Sequence, residues 1–232
     1  MRLTQAGEGA LILYLGNETN PIISNKVQLA CNIIETVLGN NLIDLIPSYA
    51  SLLIIYDPLR CDHFHVRTRI LQALQNMPAV SENNSRKVCL PVYYAPEAGA
   101  DLEALAKHAG LSVDEVIAIH SETEYRVYAI GFAPGFAYLG QVDERIAAPR
   151  LATPRQRVPR GAVAIADRQT AVYPAASPGG WNLIGLCPTR LFNAQAQPTM
   201  PIAVGDRVYF EPVCRQRYLE LGGEEPKNEQ LP

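Results

Sequence analysis

Residues 131–140, GFAPGFAYLG, open the stretch of sequence that decides the fold of the second half of this chain. The stretch continues through PRLATPRQRVPRG at 149–161 and QTAVYP at 169–174, and it ends with SPGGW at 177–181. Glycine permits positive φ or a close backbone approach, whereas proline fixes φ and removes a hydrogen-bond donor. Such segments are typical of tight corners in a β-barrel, and rigid loops that carry aromatic side chains also form recognition surfaces. The pattern alone leaves both interpretations open.

The composition indicates a globular protein with a sizeable core. The chain has 232 residues, 48% of them hydrophobic, and its formal net charge of -3 argues against an extended basic surface for nucleic acid. No apolar run is long enough to span a bilayer, and the first nine residues lack the apolar core of a signal peptide. The five cysteines include no Cys-x-x-Cys pair, which favours reduced side chains. We therefore expect a cytoplasmic protein that binds neither membranes nor nucleic acid.

The first 90 residues alternate between strand and helix patterns. Strands are predicted at 10–15, 42–46, 52–56 and 88–94. Helices are predicted to follow Asn20 and Asp62, because both are good N-cap residues and Pro21 suits the first helical position. The order strand, helix, two strands, helix, strand is the ferredoxin-like split βαβ pattern. The sequence therefore predicts an α+β ferredoxin-like domain at residues 1–90.

Two histidines lie at the start of the second predicted helix. His63 and His65 are two positions apart, and side chains at that spacing on a helix diverge. No carboxylate cluster accompanies them at ligand spacing. The pattern favours surface or partly buried histidines, and we predict no metal site.

Residues 91–221 are predicted to form an all-β barrel with short helices. One short helix is expected to follow Asp101, and a second begins with a capping box of Ser112 and Glu115. Short strands separated by glycine and proline follow at 125–130, 162–166, 170–173, 182–186, 202–204 and 207–210. Residues 222–232 are polar and aperiodic, so we predict a flexible tail there.

The chain lacks the signatures of a self-sufficient nucleotide-driven enzyme or hydrolase. It contains no Gly-x4-Gly-Lys-Ser/Thr loop, no Gly-x-Ser-x-Gly elbow and no cysteine and histidine set at zinc spacing. We therefore expect no metal or organic cofactor in this chain, and we expect any ATP chemistry to need other chains.

Four arginines lie between prolines in the run at 149–161 and form a candidate anion site. They are Arg150, Arg155, Arg157 and Arg160. Guanidinium groups bind carboxylates and phosphates in a bidentate manner. The alternative is a solvated loop whose arginines pair with local acids. The anion-site hypothesis predicts that Arg155→Ala lowers activity without a loss of stability.

The motifs at 131–140, 149–161, 169–174 and 177–185 together resemble the KipI family, also called the carboxyltransferase domain, subdomain C and D, or allophanate hydrolase subunit 1. Within that family the pattern is most similar to the B subunits of bacterial 5-oxoprolinases. The resemblance covers nearly the whole chain. It implies a cyclophilin-like barrel for residues 91–221.

The resemblance also implies an activity and partners. Family members work with a KipA-like C subunit and with an A subunit to open 5-oxo-L-proline to L-glutamate, and ATP is used by the assembled complex. Two alternatives exist within the family. One is an inhibitor that binds a sensor histidine kinase, and the other is a carboxyltransferase-like component of a urea carboxylase or allophanate system.

Under the 5-oxoprolinase hypothesis we assign candidate roles from side-chain chemistry. His120 is the candidate for proton transfer, with Gln169 and Thr170 as hydrogen-bond partners of the lactam; the alternative for His120 is a structural residue at a helix end. The four arginines and Tyr173 are the candidates for substrate or anion binding. The candidate partner-binding residues are Phe132, Pro134, Phe136 and Trp181. The alternative for the aromatic residues is the barrel's own core.

One loop departs from the family pattern. The family usually has Gly-Gly-x-Gln-Thr-Gly before its Tyr-Pro pair, whereas this chain has Ala166, Asp167 and Ala171 at the glycine positions. If those glycines take positive φ, each replacement strains the turn. If they make room for a ligand, the new side chains fill part of that room.

Overall fold

The computed structural model of the chain describes residues 1–78 and 85–225. The chain divides into two compact units, Met1–Ser85 and Arg86–Pro232. The division lies slightly before the predicted boundary at residue 90. Within the described ranges, no helix has both the length and the apolar character that a membrane crossing needs.

The first unit is a four-stranded antiparallel sheet with two packed helices. Its strands are β1 (Arg2–Gln5), β2 (Ala10–Tyr14), β3 (Leu42–Pro47) and β4 (Ser51–Tyr56), and its helices are α1 (Pro21–Leu38) and α2 (His63–Leu74). Both predicted N-caps are confirmed: the side chain of Asn20 accepts the N–H of Ile22, and that of Asp62 accepts the N–H of His65. The two helices bury Val27, Ile34 and Ile70 against the sheet.

The sheet order corrects the predicted ferredoxin-like arrangement. The order is β1-β2-β4-β3, so the edge strand next to β2 is β1, which comes from the N-terminus of the chain. The strand predicted to complete this sheet, β5 (Lys87–Val92), lies in the second unit instead. Only Leu3 is buried in β1, and a strand with one buried side chain gives no alternating pattern to detect.

The second unit is a seven-stranded mixed sheet that is nearly closed into a barrel. Besides β5, its strands are β6 (Tyr125–Ile130), β7 (Ala137–Gly140), β9 (Ala162–Ala166), β10 (Gln169–Val172), β12 (Asn182–Leu186) and β13 (Arg207–Pro212). Their order in the sheet is β12-β9-β10-β7-β6-β13-β5. The backbones of Tyr93 and Leu186 exchange two hydrogen bonds of 2.8 and 3.0 Å, which join the two edges of the sheet.

A separate small sheet consists of two antiparallel strands. These are β8 (Arg155–Val158) and β11 (Ser177–Gly179). Both strands come from the arginine-rich and glycine-rich motifs of the sequence. The small sheet therefore brings two of the four family motifs together.

Two features differ from the expected all-β barrel. The strands β5 and β13 pair in parallel, so the sheet is mixed. Residues 202–204 form no strand; instead the carboxylate of Asp206 accepts the N–H of Ala203 at 2.8 Å and closes a turn. A carboxylate that accepts a backbone N–H a few residues away stabilises a compact turn, which takes the place of the predicted strand.

Within residues 85–225, three short α-helices accompany the barrel. They are α3 (Leu102–Ala109), α4 (Val113–Glu122) and α5 (Arg215–Glu220). The capping box of α4 is confirmed, because the Ser112 hydroxyl accepts the N–H of Glu115 and the Glu115 carboxylate accepts the N–H of Ser112. Of the predicted flexible tail, residues 222–225 are described, and Glu224 contacts both Arg160 and Tyr218. Residues 226–232 lie outside the described residues.

The barrel sheet buries side chains on both of its faces. One face contributes Val163, Ile165 and Val172 to the interior core. The opposite face carries a second cluster of alanines and aromatic side chains. The four family motifs contribute mainly to this second face.

Candidate functional site

The motif residues meet in an aromatic cluster with Phe136 at its centre. The ring of Phe136 lies 4.9 Å from that of Tyr138, 5.3 Å from that of Tyr173 and 5.8 Å from that of Trp181, between centroids. All three contacts are edge-to-face, the arrangement that the ring quadrupoles favour. The exposed ring of Phe132 lies 5.3 Å from Phe136 and forms the rim. Residues from three separate motifs thus form one packed group.

Small residues on the neighbouring strands make room for these rings. They are fully buried alanines on the same face of β9 and β10, namely Ala162, Ala164, Ala166 and Ala171. At the positions where the family usually has glycine, Ala166 and Ala171 fill space against the rings, and neither has a positive φ. Only Asp167 does, with φ of 52°, in the region that Asp tolerates better than most residues.

A glycine brings the small sheet of β8 and β11 against the cluster. A Cβ at Gly179 would lie 2.3 Å from the hydroxyl oxygen of Tyr173, which no side chain could accept without a shift. Burial raises the pKa of Tyr173 to about 12, and the nearby positive charge of Arg150 acts in the opposite direction. The Tyr173 hydroxyl therefore stays protonated at neutral pH and is a hydrogen-bonding group only.

The predicted partner-binding residues separate into a buried and an exposed set. Phe136 and Trp181 are 2% and 5% exposed, so the structure favours the alternative in which these rings belong to the barrel's own core. Phe132 is 67% exposed and has φ of 70°. A bulky residue with positive φ is strained, and such strain is found most often at functional positions. Phe132 and the exposed Pro134 are thus the accessible members of the predicted set.

The four arginines do not form one anion site. Arg155 is 13% exposed and donates from Nη2 to the Asp101 carboxylate at 2.7 Å. The second oxygen of Asp101 accepts the N–H of Leu183 at 2.7 Å. The Nε and Nη1 atoms of Arg155 are buried without an acceptor within the described part of the chain. Arg155 is therefore a largely buried structural residue, and the expectation that it binds substrate is not supported by its environment.

The other three arginines are accessible in different places. Arg150 is exposed, with its guanidinium 5.7 Å from the centroid of the Trp181 ring. Arg157 is exposed on β8. Arg160 is 30% exposed and donates from Nη2 to the Glu224 carboxylate at 3.0 Å. The sequence reveals neither acid partner, because Asp101 and Glu224 lie far from the run along the chain.

The candidate catalytic residues His120 and Thr170 are fully buried in the interior core. The Thr170 hydroxyl donates to the carbonyl of Ala164 at 3.0 Å, so its oxygen is free to accept from Nε2 of His120 at 2.9 Å. The Nδ1 atom of His120 then accepts from the hydroxyl of Tyr94 at 2.7 Å. These contacts form one chain of hydrogen bonds in which each donor has an acceptor.

The environment of His120 keeps it neutral. Burial lowers the pKa of His120 to about 3, and burial also raises the pKa of Tyr94 well above its usual value. The His120 ring is stacked on Phe210, with 4.6 Å between centroids. A neutral, enclosed imidazole cannot exchange protons with a bound substrate, so the geometry supports the structural alternative for His120. Tyr94 carried no sequence signal that would have placed it here.

The predicted pair of Gln169 and Thr170 is divided between the two faces of β10. Successive side chains of a strand point to opposite sides of the sheet. Thr170 faces the interior core with Val172, whereas Ala171 and Tyr173 face the aromatic cluster. Gln169 shares the face of Ala171 by this alternation. Of the pair, only Gln169 lies on the side where the family motifs meet.

A cleft lies beside the exposed rim of the cluster. Its volume is about 830 Å³, and its walls include Pro134, Pro174, Arg160, Arg190 and Glu224. It therefore combines residues from three of the four motifs with two basic side chains. Within residues 1–78 and 85–225, no group of three His, Cys, Asp or Glu side chains is placed to hold a metal ion.

The chain is similar to known proteins over most of its length. The model of the carboxyltransferase domain, subdomain C and D, matches residues 1–202. The B subunit of the Bacillus subtilis 5-oxoprolinase is 38% identical over 227 residues, which are 94% of this chain and 95% of that protein. The corresponding B subunit of Haemophilus influenzae is 39% identical over 188 residues, or 81% of this chain and 83% of that protein.

Solved structures show the same fold. The crystal structure of TTHA0988 matches with a TM-score of 0.78 and 35% identity over 88% of this chain, which spans 39% of that longer chain. The urea amidolyase of Kluyveromyces lactis matches with a TM-score of 0.75 over 99% of this chain and 16% of that one. Its identity is only 17%, so this likeness concerns the fold alone. The matched motifs and these relatives together show that the chain belongs to the family of the carboxyltransferase domain, subdomain C and D.

Proposed function

We propose that this chain is the B subunit of an ATP-dependent 5-oxoprolinase, a complex that opens 5-oxo-L-proline to L-glutamate. The observation that carries the proposal is the similarity to the Bacillus subtilis protein of that name, which extends over nearly the full length of both chains. Because that relative is named as one subunit of an enzyme, we assign this chain a role within a larger assembly. We propose a KipA-like C subunit and an A subunit as the partners.

The chemistry explains why such a complex would use ATP. The carbonyl of a lactam is stabilised by resonance with its nitrogen, so water attacks it slowly. Phosphorylation of the carbonyl oxygen converts that oxygen into a leaving group. Water then adds to the carbon and the ring C–N bond breaks, which leaves γ-glutamyl phosphate. A second water hydrolyses this acyl phosphate to glutamate and phosphate. Because this chain has no phosphate-binding sequence motif, we assign the ATP step to the assembled complex.

The residues that this chain would contribute are the accessible ones. Arg150 and Arg160 are guanidinium groups within reach of solvent near the aromatic cluster, and they suit the substrate carboxylate. Gln169 is the candidate for a hydrogen bond to the lactam. Phe132 and Pro134 form an exposed apolar rim that suits a protein partner. His120 and Thr170 act in the fold, through the buried hydrogen-bond chain.

The proposal is tested by reconstitution. The purified chain is mixed with homologues of the A and C subunits from the same organism, and release of glutamate and phosphate from 5-oxoproline and ATP is measured. We expect turnover by the three-component mixture and none by any component alone. Turnover by the isolated chain would contradict the proposed division of labour, and an inactive but fully assembled complex would contradict the proposed reaction.

A further inference from the structure

The cleft lined by Ala133 and Pro134, which follow Phe132 in the chain, has walls that hold their shape without a ligand. Pro134, Pro174 and Pro188 line it, and proline has a fixed φ and no N–H to satisfy. The loop that carries Pro134 is held close to the neighbouring backbone at Gly135, where a Cβ would lie 2.6 Å from the carbonyl oxygen of Leu191. The cleft is therefore preformed, as small-molecule sites usually are.

Two arginines give the cleft a positive wall. Arg190 is fixed in orientation because its Nε donates to the carbonyl of Phe192 at 3.2 Å. Its Nη1 and Nη2 atoms have no acceptor within residues 85–225, and Arg190 is exposed. Arg160 is the second guanidinium in the lining. Glu224 supplies the acid in the lining, so the cleft retains one uncompensated positive charge.

Glu224 occupies the position that an external carboxylate would take. Both side chains line the cleft, but the Arg160 side chain is only 30% exposed, whereas the Glu224 side chain is 77% exposed and contacts Arg160 at 3.0 Å. The backbone around Glu224 is anchored by Tyr218. The Tyr218 hydroxyl donates to the carbonyl of Glu224 at 3.0 Å, and Gly223 is so close to that ring that a Cβ would lie 2.3 Å from Cζ.

We propose that this cleft is a binding site for a small carboxylate, and that Glu224 is an internal carboxylate which the ligand displaces from Arg160. The choice of ligand rests on the proposed function: the carboxylate of 5-oxo-L-proline would pair with Arg160 and Arg190. The lactam ring would then lie against the proline walls. This assignment keeps Arg160 as a residue that binds the substrate carboxylate and gives the second position to Arg190 in place of Arg150, which does not line the cleft.

The competition with Glu224 is weak enough for a ligand to overcome. An ion pair with an exposed partner is worth little in water, since solvent screens it and the side chains lose rotamer freedom. Glu224 should therefore reduce the apparent affinity for a carboxylate by no more than about fivefold. Removal of its charge also leaves two unopposed arginines in the lining.

The test is a titration of the isolated chain with 5-oxo-L-proline. Binding is measured by calorimetry and by the ligand-dependent shift of the unfolding temperature. 2-Pyrrolidone, which has the lactam ring without the carboxylate, is the matched control ligand. We expect 5-oxoproline to bind and 2-pyrrolidone not to bind. Glu224→Gln should tighten 5-oxoproline binding by about two- to fivefold. Arg160→Gln should weaken it by at least about tenfold, because it removes charge-assisted hydrogen bonds to the ligand carboxylate.

The matched control variant is Arg145→Gln, which should bind 5-oxoproline normally because Arg145 forms an exposed ion pair with Asp143 outside the cleft. Arg190→Gln, a change in an exposed side chain, keeps the test decisive if Arg160→Gln misfolds. Equal binding of both ligands, or binding unchanged by the substitutions at 160 and 190, would refute the site. An intact carboxylate site in a reconstituted complex that never turns over would instead refute the proposed function alone.

Discussion

Replacement of Arg155 by Ala should destabilise the second unit strongly. Arg155 and Asp101 are each only 13% exposed, and their contact is 2.7 Å long. Without the guanidinium, the Asp101 carboxylate keeps one backbone donor, the N–H of Leu183, and otherwise remains a buried charge. Breaking a buried ion pair by removing one partner costs about 3–5 kcal/mol. At about 2–4 °C per kcal/mol, the unfolding midpoint should fall by roughly 6–20 °C.

The matched control for this substitution is two residues away. Arg157 lies on the same strand and is exposed, so Arg157→Ala should change the midpoint by less than about 2 °C. Thermal unfolding followed by circular dichroism measures both variants. Asp101→Asn keeps an acceptor for the N–H of Leu183 and removes the carboxylate charge. Arg155→Gln should therefore lower the unfolding midpoint by less in the Asp101→Asn background than in the wild type.

The result also decides between two views of the arginine run. If Arg155→Ala and Arg157→Ala unfold at the same temperature, the buried pair contributes nothing and the reasoning from burial is refuted. The expectation from the sequence, in which Arg155 binds substrate and its loss leaves stability unchanged, would then be restored. A selective loss of stability in Arg155→Ala assigns this residue to the fold and leaves anion binding to the exposed arginines.

Three further predictions concern the two faces of the barrel sheet. Because burial lowers the pKa of His120 to about 3 from an unfolded value near 6.5, the unfolded state binds the extra proton between these values. The contribution of His120 to the free energy of unfolding should therefore fall by about 1.4 kcal/mol per pH unit as the pH drops through that window. Denaturant titrations at several pH values should show a steeper loss of unfolding free energy with falling pH in the wild type than in His120→Asn. Thr170→Val should cost about 1–3 kcal/mol at pH 7, since Nε2–H of the imidazole loses its acceptor; a cost near zero in urea melts would contradict the hydrogen-bond chain. Gly179→Ala should displace Tyr173 at a cost of about 1–3 kcal/mol and alter the fluorescence of Trp181, and Tyr173→Phe in the same chain should restore part of the loss; an unchanged spectrum would contradict the packing.

The local elements could be predicted because their signals lie within a few residues. Asn20 and Asp62 cap α1 and α2, and Ser112 with Glu115 forms the capping box of α4, because each side chain bonds a backbone N–H two or three positions away. The glycine- and proline-rich motifs likewise indicated the β-structure of the second half and the family.

The strand partners could not be predicted from the sequence, since pairing depends on which edge each strand meets. The apolar alternation identified β5 as a strand, but that pattern is the same in either sheet. Its parallel pairing with β13 places it in the barrel, and β1 takes the place that it was expected to fill. Strand order is a property of the assembled sheet, because hydrogen bonds between strands join residues that are distant along the chain.

The chemical state of the candidate residues was also decided by tertiary structure. A sequence shows that His120 and Arg155 are ionisable, but their behaviour depends on burial and on partners far along the chain. Thr170 lies 50 positions from His120, and Asp101 lies 54 positions from Arg155. Burial keeps the His120 imidazole neutral, and the contact with Asp101 holds Arg155 largely out of solvent. Composition and motif therefore identify candidates, while packing assigns their roles.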